Sequence, residues 1–158
     1  MSGMAEPRWL NDQEMRTWLA FLEASHLVER RVEQQLRDRA GMSHPQYEIL
    51  VRLADAPDGS IRMSELAELL VTSKSGLTYQ VAQLEKAGLV RRYRCPTDDR
   101  GVNAAITEDG RDKLREIAPD HVAVVRAALV DLLDADQQRA VADSLTTVVR
   151  ALRAQPTG

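Results

Sequence analysis

Apolar residues recur at helical spacing along most of this chain. Trp18, Leu19, Leu22, Val28, Val32 and Leu36 fall mostly on one stripe of a segment from about Asn11 to Arg39, which predicts a long first helix stopped by Gly41. A second helix starts in "MSHPQYEILVRLADAP". There Ser43 and Gln46 have capping-box spacing, Met42 and Tyr47 hold the hydrophobic-staple positions, and Pro45 in the first turn removes no needed donor. In "MSELAELLV", Met63, Leu66, Ala67 and Leu70 share one face of a short amphipathic helix. After a break at Thr72 and Ser73, Ser73 caps another helix whose Leu77, Val81 and Leu84 face inward and which ends at Gly88. Two short helices joined by a tight turn have the sequence form of a helix-turn-helix.

Past Gly88 the helical period is lost. "LVRRYR" and "VNAAIT" read as two short strands around a seven-residue loop, Cys95 to Gly101, which holds the turn formers Pro96, Asp98, Asp99 and Gly101. Helical spacing resumes at Thr107, a cap followed by Glu108 and Asp109. Leu114, Ile117, His121, Val125, Leu129 and Leu132 carry one stripe through Pro119, predicting a helix kinked there and not ended. Asp134 with Gln137 resembles a further capping box, and Val141, Leu145, Val148 and Leu152 mark the expected buried side of a final helix. The expectation is a mostly α fold with a small β-hairpin, in one unit spanning residues 1–158.

Composition agrees with that pattern. The 158 residues are 44% hydrophobic and only 4% aromatic, enough for one sizeable core built from aliphatic side chains. The net charge of −3 hides an uneven distribution. Residues 1–59 carry seven basic and ten acidic groups, 60–107 seven and five, and 108–158 seven and nine. Only the middle segment is positive, and Lys86, Arg91, Arg92, Arg94 and Arg100 lie within fifteen positions of one another, so a local basic surface is available to a polyanion. The lone Cys95 excludes an intramolecular disulfide, no apolar run reaches membrane-spanning length, and "MSGMAEPRWLNDQEM" lacks the basic start and apolar centre of a signal peptide. A soluble, cytoplasmic protein is expected.

The candidate chemistry gathers in the positive segment. With Leu77, Val81 and Leu84 committed to the core, Lys74, Ser75, Thr78, Tyr79 and Gln83 are left for solvent or for DNA. Short polar residues and free amides at a helix start suit phosphate and base edges. An ordinary solvated face is the bland account, and for this helix alone the better one. Its position after a capped turn and before a basic hairpin favours the DNA reading. Arg100 sits at the expected wing tip with Asp98 two positions earlier, where a carboxylate could steady an arginine entering a narrow minor groove. As an idle surface pair the two would be worth roughly 0 to 1 kcal/mol. Arg91, Arg92 and Arg94 alternate along a strand, so one or two of them, with Arg91 and Arg94 as candidates, would meet phosphate.

Other residues carry less. His26, His44 and His121 show no metal-ligand spacing, so no metal or other cofactor is expected, and His44 is read as a surface residue. Cys95 near three arginines could have a depressed pKa and be oxidisable, but a single wing-root cysteine is more often merely tolerated, and it is read as such. Glu48, Asp55, Ser64 and Ser144 form no acid/base or nucleophile constellation, which argues against an enzyme.

The ordered stretches "RMSELAELL", "SKSGLTYQVAQLEKAGLVRR", "DDRG" and "ITEDG" resemble the MarR family of bacterial transcriptional regulators over nearly the whole chain. The resemblance implies a winged helix-turn-helix, residues 43–107, flanked by dimerisation helices at 11–39 and 108–154. It also implies a homodimer on palindromic double-stranded DNA and repression relieved by a small ligand or by oxidation, although the N-terminal helix holds no cysteine of the kind the family's peroxide sensors use. Tyr79 stands where the family often carries arginine. Trp18, Phe21 and Tyr47 lie beside the groove where the family binds aromatic anions, and are the candidate ligand residues. The competing reading is a winged-helix module whose wing meets an acidic protein partner, without specific DNA binding.

Overall fold

The computed structural model describes residues 5–155; residues 1–4 and 156–158, the ends of the expected single unit, lie outside the described residues. Helix α1, Asp12–Ala40, begins at Asn11, whose side chain accepts the Glu14 N–H at 2.8 Å while the Glu14 carboxylate accepts the Asn11 N–H at 3.0 Å. It ends at Gly41, at φ 64°, a left-handed conformation that glycine adopts without strain. Helix α2, His44–Asp55, starts at the expected Ser43–Gln46 capping box, and Met42 and Tyr47 are both buried at the staple positions.

Strand β1, Ser60–Arg62, leads into α3, Met63–Leu69, and after the tight turn α4 runs from Lys74 to Lys86. Val71 in that turn has φ 52°, a left-handed conformation uncommon for a β-branched side chain. Strands β2, Val90–Arg94, and β3, Val102–Ile106, form the hairpin. The sheet is wider than the hairpin expected from sequence: β1 adds to β3, giving the antiparallel order β1-β3-β2. Ser60 pairs with Ala105 and Arg62 with Asn103, while Val90 pairs with Ile106 and Arg94 with Val102. Three residues are too few to display a strand period, which is why β1 is silent in the sequence.

Helix α5, Glu108–Ala128, starts at Thr107, whose hydroxyl donates to the Gly88 carbonyl at 2.7 Å and accepts the Gly110 N–H at 3.0 Å. The helix continues through Pro119, as expected. It stops at Ala128 and does not reach Leu132, because Leu129 leaves helical geometry (φ −142°, ψ −63°) and Val130–Leu132 form a 3-10 turn. The last helix, α6, spans Ala135–Ala154 from an Asp134–Gln137 capping box.

One core holds the winged region together. Leu36 of α1, Leu50 and Leu53 of α2, Leu66 of α3, Val81 of α4 and Ala104 of β3 are all fully buried in it. Burying each of the leucines is worth about 1.5 to 3 kcal/mol. The expected buried stripe of α6 is different: Val141, Leu145, Val148 and Leu152 are all exposed, and no residue of α6 is buried. Trp18 and Leu19 on α1 are about half exposed too. Periodicity shows that a helix has an apolar face; it does not show that the same chain covers it.

Candidate nucleic-acid interface

The core fixes which side of α4 is available. Leu77, Val81 and Leu84 are buried, so Lys74, Ser75, Thr78 and Tyr79 project outward, with Tyr79 62% exposed, and Gln83 is half-buried farther along. Ser73 caps the helix by accepting the Gly76 N–H at 3.0 Å. The Thr78 hydroxyl donates to the Lys74 carbonyl at 2.8 Å, which leaves its oxygen free to accept a hydrogen bond on this exposed residue.

Between this helix and the wing lies an open groove of about 480 Å³, lined among others by Arg62, Lys74, Thr78, Arg92, Arg100 and Gly101. Four cations therefore border one depression on an acidic chain. Two of them are already paired. Arg92 donates to Glu85 of α4 through its side chain and its backbone N–H, each at 3.0 Å, and these bonds hold the Glu85 carboxyl below its ordinary range. Arg62 pairs with Asp98. Lys74 and Arg100 have no carboxylate partner among the described residues, so their charge is available to an incoming anion.

Asp98 works differently from the expectation that it steadies the Arg100 side chain. One carboxylate oxygen accepts the Arg100 backbone N–H at 3.0 Å, and the other meets the Arg62 guanidinium. These contacts, the Arg100 N–H first and Arg62 next, hold its carboxyl below the usual aspartate value. Arg62 was not singled out in the sequence because its strand was not recognisable. Arg92 was passed over in favour of its neighbours, although it shares with the buried Val90 the sheet face that meets α4. Arg91 is on the opposite face, its guanidinium 4.8 Å from the centre of the Tyr93 ring, so Arg91 and the exposed Arg94 do not act from one side. Tyr93 is in turn fixed by a 2.8 Å hydrogen bond between its hydroxyl and Ser60 Oγ.

The three candidate ligand residues do not come together. Trp18 and Phe21 are neighbours on α1, their ring centres 6.3 Å apart, and Phe21 borders an apolar cleft of about 670 Å³ with Val28, Leu129, Leu133, Val141 and Leu145. Tyr47 is away from that cleft, buried in the core with its ring 4.2 Å from that of His121, and burial pushes its phenol pKa up. Its staple position had already implied a core role.

His44 is no free surface residue. Its Nδ1 lies 2.8 and 2.9 Å from the two Glu29 carboxylate oxygens, its Nε2 lies 3.8 Å from Glu48, and its ring is 6.2 Å from that of His121. The Nδ1 of His121 is buried without a hydrogen-bond partner, and desolvation, then the proximity of His44, lowers its pKa. Cys95, half-buried at the wing root, lies 3.3 Å from the Thr97 hydroxyl, and that contact is the main cause lowering its thiol pKa. Among the described residues no three His, Cys, Asp or Glu side chains gather as metal ligands, and no helix is long and apolar enough to cross a membrane.

Comparison with known proteins matches this architecture. The family model described as the MarR family matches residues 42–102. Sco3205, a MarR family transcriptional regulator from Streptomyces coelicolor solved in complex with DNA, is 42% identical, with a TM-score of 0.90 over 97% of this chain and 94% of its own. AbsC, another MarR family transcriptional regulator from that organism, is 38% identical, with a TM-score of 0.89 over 94% of this chain and all of its own. The uncharacterized HTH-type transcriptional regulator YfiV of Bacillus subtilis (strain 168) is 31% identical over 112 residues, 70% of this chain and 68% of its own. With that identity across nearly its whole length, on the same winged helix-turn-helix, the chain belongs to the MarR family of transcriptional regulators.

Proposed function

We propose that this chain is a sequence-specific DNA-binding regulator that acts as a homodimer on a palindromic operator, represses from it, and releases it when a small aromatic anion binds. The observation that carries the proposal is the groove between α4 and the wing. The capped, polar start of α4 stands on one side and the unpaired Arg100 on the other, with Lys74 between solvent and groove. A recognition helix in the major groove and an arginine at the adjoining minor groove would use both sides at once. Lys74, Ser75, Thr78 and Tyr79 are assigned to the duplex through α4, with Gln83 farther from its start. Arg94 and Arg100, with Asp98 as support, act through the wing, and Arg91 reaches phosphate only from the sheet's other face.

Dimerisation through 11–39 and 108–154 is supported by the exposed apolar faces of α1 and α6. The two recognition helices would then address half-sites roughly 34 to 36 Å apart. The effector reading is supported by the apolar cleft at Phe21, beside Trp18; Tyr47 would influence it only through the core.

The deciding experiment selects duplexes from a genomic pool and measures affinity across a salt series. Specific, steeply salt-dependent binding is expected. Arg100→Ala should weaken binding to every duplex and flatten the salt slope, whereas Thr78→Ala should cost about 1 to 3 kcal/mol at matched sites alone. Equal affinity for all duplexes, or affinity indifferent to salt, would overturn the proposal in favour of a protein-binding wing. Calorimetry with a panel of aromatic acids tests the effector: no heat and no change in DNA affinity would remove it.

A further inference from the structure

We infer that Arg62, at the end of β1, is a positioning residue that holds the wing loop in the shape that aims Arg100 at the duplex. The inference rests on the DNA-binding reading above and adds to it a residue from outside both the recognition helix and the wing.

The loop from Cys95 to Gly101 has little apolar material to order it. Pro96, Thr97, Asp99 and Arg100 are exposed, and the loop's own backbone bonds are three: Cys95 N–H to the Gly101 carbonyl at 2.8 Å, Gly101 N–H to the Asp98 carbonyl at 3.0 Å and a longer one from Asp98 N–H to the Cys95 carbonyl at 3.4 Å. Side chains must supply the rest. The Asp98 carboxylate bridges two arginines, accepting the Arg100 backbone N–H with one oxygen and meeting the Arg62 guanidinium with the other. The direction in which residue 100 leaves the loop is thereby tied to a side chain from another strand.

A second contact acts at the loop's end. A Cβ placed on Gly101 would come within 3.0 Å of Arg62 Nη2 and 3.1 Å of its Nε. The guanidinium therefore lies close against the Gly101 backbone, where an added side chain would press on it. Arg62 itself is anchored to the rigid part of the molecule, paired opposite Asn103 in the sheet and followed at once by α3. It links a fixed strand to an otherwise loosely held loop at Asp98 and at Gly101. Both partners are substantially exposed, so this link adds little to folding stability. Its effect is to order the loop before DNA arrives, which reduces the ordering cost of binding.

The test measures duplex affinity and salt slope for the wild type, Arg62→Ala, Asp98→Asn, Arg100→Ala and Arg62→Ala with Arg100→Ala, with circular dichroism and thermal melting to confirm folding. Arg62→Ala should weaken binding about five- to tenfold, and in the Arg100→Ala background it should add almost nothing, as expected of residues acting as one unit. Asp98→Asn carries the opposite charge consequence. Removing a negative charge beside phosphate should tighten binding if only the field matters, whereas loss of the bridge should weaken it, and weakening is expected. An Arg62→Ala loss that is equally large without Arg100 would show that Arg62 contacts DNA directly and would overturn the inference. So would tighter binding by Asp98→Asn, or wild-type affinity in Arg62→Ala. If the wild type itself shows no specific, salt-dependent binding, the DNA reading falls and takes the inference with it; a wild type that binds beside an unaffected Arg62→Ala sinks the inference alone.

Discussion

In the winged region Leu50, Leu53, Leu66 and Val81 have no exposed surface, whereas Leu145, Val148 and Leu152 of α6, at similar helical spacing, are 41%, 50% and 61% exposed. The contrast separates two uses of the same amphipathic pattern. In the first, helices and a small sheet from the same chain close over one another and complete a core. In the second, α6 and the N-terminal half of α1 carry apolar faces that this chain leaves open, which a second copy would cover under the dimer proposal.

The largest effect should come from placing charge on the open face. Leu145→Asp combined with Val148→Asp should convert a dimer into a monomer at micromolar concentration, as read by sedimentation, and should reduce helical circular dichroism. A wild type that is already monomeric, or a double variant of unchanged mass, would break the contrast. Next in size, Leu50→Ala should cost about 2 to 5 kcal/mol in urea unfolding at fixed protomer concentration, through lost burial and the cavity left behind. Its mass should not change. A dimer that dissociates when Leu50 is truncated would mean that the two regions are not separable.

These two regions also differ in how much of them could be read from the sequence. In the winged region, capping pairs such as Ser43–Gln46 and the inward positions Leu77, Val81 and Leu84 identified helices and their buried faces together, because there the apolar face and its cover belong to one chain. For α6 the helix and its Asp134–Gln137 cap were legible, but the cover was not. The groove was half legible. Local composition pointed to Lys74, Thr78 and Arg100, yet the tie from Arg62 to Asp98 crosses 36 positions and depends on a three-residue strand with no period of its own. The surroundings of Tyr47 and His44 were hidden for a related reason: Tyr47 was legible as a core residue from its staple position, but its neighbour His121 of α5 was not, and His44 is held by Glu29 of α1, a residue from another helix.

A smaller effect is expected from pH. The pKa of folded His121 is lowered, so near neutrality and below the unfolded chain binds more protons at this site than the folded one. The stability it contributes is fully present above the unfolded value of about 6.5 and declines as pH falls from there toward the lower folded value. Unfolding free energy should therefore drop between pH 7.5 and 5.5, and less so in His121→Gln. Identical pH dependence in the two proteins would remove His121 as the source. The smallest change should come from Val71→Asn, which relieves a positive φ at an exposed turn position and should stabilise by about 1 kcal/mol in the same urea assay. A destabilised variant would show that the turn is not strained.

Val71 also bears on how α4 is aimed. At φ 52° and 82% exposed, it gains nothing from burial and holds a conformation its own side chain disfavours. The corner between α3 and α4 is thus a point of local frustration in a chain whose other signals mostly agree. Its path is imposed by the helices on either side, through Leu66 and Ala67 on one and Leu77 and Val81 on the other. The angle at which α4 projects is therefore inherited from the core. Substitutions inside that core can re-aim the helix without touching its outer face, whereas substitutions at the corner change only how much it costs to hold the aim.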